Sequence, residues 1–145
     1  MIKTNFTAIK DHIIGIGGIF FKSKNPDKLT DWYKSTLGFS VQVPYSEDDT
    51  AITFKWKTFE GENHNTVWAP FKEDTDYFAP SHKNFMINYI VKDIEGLILK
   101  LEQKGVKLID HLKEYPYGKF ASILDIEENK IEFWEPNMDF FKDKY

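Results

Sequence analysis

Side chains that bind metal ions or transfer protons near neutral pH are sparse in this chain. It has four histidines, His12, His64, His82 and His111, and no cysteine. No two histidines lie within five residues of each other, so no HxH or HxxxH pair exists to begin a metal site. The missing cysteines exclude thiolate nucleophiles, disulfides and cysteine zinc sites. We expect the histidines to lie exposed in or beside loops and strand ends, with His82 as the best candidate for a titratable group near a cleft.

The charged residues argue against nucleic acid as a partner. All 19 basic residues are lysine, so the chain cannot make bidentate guanidinium contacts to phosphate, and its formal net charge is -4. Nucleic-acid binding draws much of its affinity from a basic face, and no lysine run supplies one. We therefore expect no nucleic-acid partner.

The length and the apolar residues indicate one cytoplasmic domain. The chain has 145 residues, of which 41% are hydrophobic and 17% aromatic, which is ample for a single packed core over residues 1–145. The longest apolar run, Ile13 to Phe21, is too short to cross a bilayer of about 30 Å. It also lacks the basic start and small-residue exit of a secretory signal. We therefore expect a cytoplasmic protein with no membrane contact.

The first half of the chain reads as a strand, a helix and three further strands. An apolar strand ends at Lys22, and a helix begins after the capping residue Asn25 and ends at Gly38, which suits a left-handed C-terminal position. Alternating or apolar stretches then predict three strands, and polar residues predict the turns between them. These strands are predicted at 39–43, 51–57 and 65–69, and the turns at 44–50 and 60–64.

The second half repeats the same order. A strand is predicted at 85–91, and a helix begins after Asp93 and ends at Gly105. Three strands follow, predicted at 106–109, 120–125 and 130–135. The sequence is therefore an internal βαβββ repeat, with modules at about 13–69 and 85–136 joined by a connection at 70–84.

Each module has one helix, which covers only one face of its small sheet. We predict an α+β fold in which the two βαβββ modules pair into a curved, cleft-forming mixed β-sheet with the helices on the outside. Concave sites of this kind are where small ligands usually bind. A repeat that merely builds a larger core would give the same pattern.

Two motifs carry a resemblance to a known family. Residues 32–39 contain the pattern WY…LGF, and residues 131–136 read IEFWEP, which is similar to a family ending in IELWEP. With these motifs and its duplicated architecture, the chain resembles the vicinal oxygen chelate superfamily, which includes glyoxalases, extradiol dioxygenases and bleomycin-resistance proteins. The resemblance covers about Ile13 to Pro136 and implies a homodimer.

The hairpin before the second motif departs from the family pattern DPxGN. Ile126 stands in place of the proline and Glu128 in place of the glycine. Because glycine accepts a positive φ more readily than glutamate, we expect either a different turn or Asn129 in the left-handed position.

The resemblance also locates the positions where metal-dependent members hold a divalent ion. They carry His, Gln or Glu on four inward-facing strand positions, which fall here at Gly18, about Lys55, about Met86 and Glu132. Glycine has no donor, a thioether is too soft, and an ammonium repels cations. The resemblance therefore implies no metal and no other cofactor, unless unexpected ligands build a site. The simplest replacement is an ion pair between Lys55 and Glu132.

Strand alternation predicts which side chains face the cleft. If Ile52, Phe54 and Phe133 pack against the helices, the alternate residues form a set of flat aromatic rings with a few polar groups. Such a set suits a planar or amphipathic organic ligand, although each ring taken singly is as well explained by the core. The predicted substrate-binding residues are Lys55, Trp68, Met86, Asn88, Phe120, Ser122, Glu132 and Trp134.

Two function classes follow from this reasoning. The first is a metal-free protein, resembling the bleomycin-resistance branch, that binds a small aromatic or amphipathic molecule. The alternative is an enzyme, either a metal-dependent lyase, isomerase or dioxygenase with rearranged ligands, or one in which Glu132 acts as a general base with a raised pKa. An interaction protein whose aromatics are only core is a third reading. The tail at 137–145 fits packing on the chain's own surface or on a neighbour.

Overall fold

The computed structural model describes residues 8–44 and 51–145, so most of the turn predicted at 44–50 lies outside the described residues. The described ranges contain seven strands and three α-helices, with a 3-10 turn at Ile9–His12 before the first strand. The strands are β1 (Ile13–Ser23), β2 (Ile52–Lys57), β3 (Asn63–Lys72), β4 (Phe85–Val91), β5 (Lys113–Tyr115), β6 (Gly118–Leu124) and β7 (Lys130–Pro136). The helices are α1 (Pro26–Leu37), α2 (Ile94–Gln103) and α3 (Met138–Phe141).

The strands form one mixed sheet in the order β2-β3-β1-β4-β7-β6-β5. Strands β1 and β4 pair antiparallel at the centre, and each has a parallel partner on its other side, β3 and β7 respectively. Strand β2 then pairs antiparallel with β3, as β6 does with β7. The two halves therefore have the same strand order, and the predicted α+β fold is confirmed.

The two long helices cover the convex face of the sheet. Helix α2 buries Leu97 and Leu101 in a cluster with Ile123 of β6 and Phe133 of β7. Both predicted N-caps form, since the side chain of Asn25 accepts from Lys28 N–H at 3.1 Å and that of Asp93 accepts from Gly96 N–H at 3.2 Å. The opposite, concave face is not covered by these two helices.

The predicted strand at 39–43 does not form, and the reason lies in one side chain. The hydroxyl of Thr53 accepts from Val43 N–H at 2.7 Å and donates to the Val43 carbonyl at 3.1 Å. Gln42 N–H donates to the Thr53 carbonyl at 3.0 Å. One threonine thus satisfies the backbone groups that a strand would have used in a ladder.

The predicted strand at 106–109 is also wrong. Val106 N–H donates to the Leu101 carbonyl at 3.0 Å and therefore completes the end of α2. The strand at the edge of the sheet beside β6 is instead β5, which is three residues long. Its sequence, Lys-Glu-Tyr, has neither an apolar run nor an alternation that would predict a strand.

The hairpin between β6 and β7 has its left-handed residue at Glu128, with φ 64°, so the expected alternative that placed Asn129 in this conformation is wrong. The Asp125 carboxylate holds the turn by accepting from the backbone N–H groups of Glu127 and Asn129, each at 2.9 Å. It also accepts from the Asn129 side chain at 2.9 Å. These bonds to one carboxylate offset the strain of a left-handed glutamate.

The C-terminal segment packs on the chain's own concave face. Phe141 of α3 is fully buried, and its ring centroid lies 5.8 Å from that of Trp134 on β7. The hydroxyl of Tyr145 donates to Asn65 Oδ1 at 3.1 Å, and burial raises the pKa of Tyr145 to about 12. The tail therefore closes one end of the concave face.

We expect Phe141→Ala to lower the free energy of unfolding by about 3–5 kcal/mol, because it removes a fully buried ring and leaves a cavity. Phe59→Ala is the matched control, because Phe59 is fully exposed. Urea denaturation measures both variants. Equal stability of the two variants would show that the tail does not pack as described.

Candidate functional site

A cavity lined mainly by aromatic side chains lies on the concave face. This main cavity has a volume of about 380 Å³ and is lined by residues of every strand except β2. The strands contribute the rings of Phe20, Phe71, Phe120 and Trp134. Tyr77, Tyr115 and Tyr117, from the connections and the short strand β5, complete the aromatic wall.

The aromatic rings are arranged in parallel pairs at one side of the main cavity. Phe120 and Trp134 are cross-strand neighbours on β6 and β7, and their rings lie 6.0 Å apart at an angle of 8°. Tyr115 and Tyr117 stack with centroids 5.5 Å apart at 5°. Flat, nearly parallel surfaces of this kind suit a planar ligand group.

A buried carboxyl group forms the polar part of the main cavity. Glu132 is 5% exposed, and its two oxygens accept hydrogen bonds from the Tyr77 hydroxyl at 2.5 Å and from Asn88 Nδ2 at 2.7 Å. Asn88 lies directly across from Glu132 in the β4–β7 register, so the parallel pairing positions this contact. The three side chains form one network on the concave face.

Burial raises the pKa of Glu132, although the hydrogen bonds from Tyr77 and Asn88 act in the opposite direction. The pKa of Tyr77 is also raised, first by burial and then by the neighbouring carboxylate. Both shifts favour the neutral forms, so Glu132 is held closer to protonation at neutral pH than an exposed glutamate.

Asn88 has a buried acceptor that lacks a hydrogen-bond donor. No group among residues 8–44 and 51–145 donates to its Oδ1 atom. The register of β1 against β4 shifts by one residue at Gly17, which makes a β-bulge and brings Gly17 over this oxygen. A Cβ at Gly17 would lie 2.4 Å from Asn88 Oδ1 and 2.7 Å from a carbon of Ile90, so only glycine lets β1 approach Asn88 this closely.

A smaller side cavity of about 170 Å³ adjoins the main cavity, and the two share four lining residues, Tyr77, Tyr115, Phe120 and Glu132. The side cavity has a charged lining of Lys130, Lys113, Asp110 and His111, and Ser122 also lies there. The site therefore joins an aromatic compartment to a charged one through Glu132.

Five of the predicted substrate-binding residues line these two cavities. Asn88, Glu132, Phe120 and Trp134 line the main cavity, and Ser122 lines the side cavity. Strand alternation was sufficient to select them because β6 and β7 are regular over these positions.

The other three predicted residues lie elsewhere. Trp68 lies on the convex face, because the β2–β3 register pairs it with Ile52. Its ring centroid lies 4.6 Å from that of Tyr33 in α1. Met86 is fully buried opposite Phe20 and lines neither cavity. Lys55 is exposed on the edge strand β2.

The expected ion pair between Lys55 and Glu132 is not formed. Both residues lie in the described part of the chain, and no salt bridge joins them. The oxygens of Glu132 bind Tyr77 and Asn88 instead. Neutral hydrogen-bond donors therefore satisfy the buried carboxyl group, with no need for a direct counter-ion.

Sequence reasoning missed the three tyrosines of the main cavity and Lys130 of the side cavity. Tyr77 lies in the connection between the halves, which has no period to assign it a face. Tyr115 and Tyr117 flank Pro116 before β6, and this aromatic pair around a proline was the one local signal for them. Lys130 begins β7 and shares the face of Glu132, so the alternation that selected Glu132 would also have selected it.

The histidines do not all occupy the expected exposed positions. His12 is buried, with Nδ1 at 2.8 Å from the Lys92 carbonyl and Nε2 at 2.7 Å from Lys100 Nζ. His64 is buried in β3, and burial lowers its pKa. His82 and His111 are exposed. Over residues 8–44 and 51–145, no three His, Asp or Glu side chains are grouped to hold a metal ion.

The chain belongs to the Glyoxalase/Bleomycin resistance protein/Dioxygenase superfamily, whose family model matches residues 15–133. No curated protein matches it in sequence. The metal positions that the family resemblance locates do not fit a divalent ion here. Gly18 has no side chain, Lys55 is exposed, Met86 lines neither cavity, and the Glu132 oxygens are both engaged by hydrogen-bond donors.

Solved structures of the same fold include methylmalonyl-CoA epimerases. The chain is 17% identical to that from Streptomyces coelicolor, with a TM-score of 0.60 over 86% of this chain and 99% of that one. It is 15% identical to that from Mycobacterium tuberculosis, with a TM-score of 0.54 over 94% and 93%. A glyoxalase/bleomycin resistance protein/dioxygenase superfamily member from Vibrio splendidus 12B01 is 16% identical, with a TM-score of 0.52 over 83% and 97%. At these identities, the likeness establishes the fold alone.

Among residues 8–44 and 51–145, none of the helices has the length and apolar character needed to cross a bilayer.

The raised pKa of Glu132 predicts a pH-dependent stability. Because the folded-state pKa lies above the unfolded value, the carboxyl group stabilises the fold fully below the unfolded pKa, and this contribution is lost as the pH rises through the folded pKa. We expect Glu132→Gln to gain stability relative to the unmodified protein as the pH rises from about 4 to 8. Urea denaturation at several pH values measures the difference.

Glu127→Gln is the control for removing one negative charge, because Glu127 is exposed in the β6–β7 turn. Its stability difference from the unmodified protein should show a smaller pH trend. A Glu132→Gln difference that is constant with pH, or that falls, would contradict the raised pKa.

Proposed function

We propose that this protein binds a small aromatic or amphipathic organic molecule in the main cavity without using a metal ion. The observation that carries the proposal is the buried, unpartnered Asn88 Oδ1 beside Gly17. A buried polar atom without a partner is destabilising by about 1–3 kcal/mol, and a ligand N–H or O–H group would supply the missing bond. The ligand should therefore carry a hydrogen-bond donor.

The size and lining of the main cavity support the same proposal. Its volume of about 380 Å³ lies within the common range for small-molecule sites. Seven of its lining residues are aromatic, whereas its polar groups are concentrated at Asn88, Glu132 and the tyrosine hydroxyls. An apolar wall with a few convergent polar groups gives stacking and orientation together. Homodimerisation and a cytoplasmic location stay predictions.

A second candidate function is acid–base catalysis by Glu132. A buried carboxyl group with a raised pKa at the wall of a ligand cavity has the properties of a general acid or base. A metal-dependent reaction is less well supported, because the inherited ligand positions do not fit an ion. The two candidates differ in whether the bound molecule is changed.

We expect Val67→Trp to fill part of the main cavity and to weaken binding of an aromatic ligand by about tenfold or more, because the indole occupies ligand space. Val67 lines the cavity from β3. Ligand-observed NMR with a panel of hydroxylated and amino-substituted aromatic compounds measures binding. Val41→Trp is the matched control, because Val41 is exposed and lines no part of either cavity. Binding that Val67→Trp leaves unchanged would place the ligand elsewhere.

We expect the purified protein to bind these compounds with no transition metal present. Elemental analysis by mass spectrometry checks the metal content, and binding is repeated after treatment with a chelator. Near-stoichiometric nickel, zinc, iron or manganese, with binding lost on chelation, would overturn the metal-free part of the proposal. Exchange of a carbon-bound hydrogen of a bound compound for deuterium in heavy water, present with the unmodified protein and lost in Glu132→Gln, would favour the catalytic candidate.

A further inference from the structure

We propose that the ligand is an aromatic carboxylic acid, whose ring occupies the main cavity and whose carboxylate binds Lys130 in the side cavity. This inference rests on the proposed function and adds the chemical class of the ligand. It comes from the one cation of the site that has no direct charged partner among the described residues.

Lys130 is a half-buried ammonium group. Its Nζ donates to the Tyr77 carbonyl at 2.6 Å and lies 5.1 Å from the centroid of the Tyr77 ring. No carboxylate oxygen of the described residues lies within 4.0 Å of Lys130 Nζ. The four ion pairs in the described part of the chain all join other residues. Burial lowers the pKa of Lys130, although the nearby Glu132 carboxyl group acts in the opposite direction. A bound anion would stabilise the charged form of this lysine.

The other charges around the two cavities are already matched. Lys113 Nζ lies 3.1 Å from Asp110 Oδ2, and His111 Nδ1 lies 2.8 Å from Asp110 Oδ1. Glu132 accepts from Tyr77 and Asn88, and its raised pKa limits the negative charge that it places near Lys130. Asp76 and Asp110 act on Lys130 only at longer range. A single unmatched positive charge fits a monoanionic carboxylate better than a dianionic phosphate.

Strand β7 places the three parts of the site in a line. Lys130, Glu132 and Trp134 alternate onto the same face, and residues two apart on a strand are separated by roughly 6.6 Å. Trp134 therefore offers a ring surface at one end and Lys130 a cation at the other. Asn88 lines the main cavity together with Gly17 and Trp134, so its Oδ1 atom would be the acceptor for a donor on the ligand ring. The ligand should carry an O–H or N–H donor on its ring and a carboxylate on a short arm.

The test compares acids with their own amides, which differ in charge and hardly in shape. The probes are para-hydroxyphenylacetate against para-hydroxyphenylacetamide, and indoleacetate against indoleacetamide. Each has a ring donor for Asn88. Dissociation constants are measured by ligand-observed NMR with the full-length protein. We expect each acid to bind about tenfold more tightly than its amide, as a charge-assisted hydrogen bond predicts.

The variant Lys130→Met removes the charge and keeps most of the aliphatic side chain. We expect it to weaken acid binding by about tenfold and to change amide binding by less than about twofold. Lys57→Met is the matched control, because Lys57 is exposed on β2, four strands away in the sheet. Lys130→Arg should retain the preference for the acid, because it retains the charge.

Each outcome decides between distinct readings. Equal binding of acid and amide to the unmodified protein would overturn the carboxylate site and leave the proposed function standing. If Lys130→Met weakened acid and amide binding equally, Lys130 would act only by holding Tyr77. That result would also overturn the carboxylate site. Failure of every acid and every amide to bind would count against the proposed function itself. Thermal unfolding of each variant confirms that it is folded before binding is compared.

Discussion

The antiparallel pairing of β1 with β4 is the contact on which the concave site depends. This pairing joins the two halves of the sheet. The bulge in β1 places Gly17, which has no side chain, directly against Asn88. The adjacent parallel pairing of β4 with β7 then sets Asn88 beside Glu132. The positions of Asn88 and Glu132 in the main cavity therefore follow from two strand registers at the centre of the sheet. A shift of one residue in either register would turn Asn88 or Glu132 to the convex face.

Glu132 shows how a buried carboxyl group is held in this chain without an ion beside it. Its two oxygens receive one hydroxyl and one amide donor, and the remaining free-energy penalty of burial appears as a raised pKa. A divalent ion would require several oxygen or nitrogen ligands converging on one point, and Gly18, Lys55 and Met86 do not supply them. The same position therefore has a different chemical role from the one that the family resemblance implies for metal-dependent members.

Much of the fold could be predicted from the sequence, because its signals are local. Asn25 and Gly38 mark the ends of α1, and alternation marks β2 and β7. The wrong predictions arose where a long-range contact decides the structure. Thr53 takes the backbone groups of Val43, and the β2–β3 register turns Trp68 to the convex face. Neither contact produces a periodic pattern in the sequence from which it could be predicted.

The site was predictable to the extent that its residues lie on regular strands. Asn88, Phe120, Glu132 and Trp134 do so and line the main cavity, whereas Tyr77 comes from a connection whose path no period predicts. One of the two hydrogen-bond partners of Glu132 was therefore not predictable from the sequence.

The segment after β7 supports one end of the main cavity from outside the sheet. Phe141 and Phe140 of this segment pack behind Trp134 and Tyr117. Segments outside the regular elements of a sheet accept substitution and changes of length more readily than central strands. The shape of the main cavity at this end can therefore change through residues 137–145, while the strand registers that hold Asn88 and Glu132 stay unchanged.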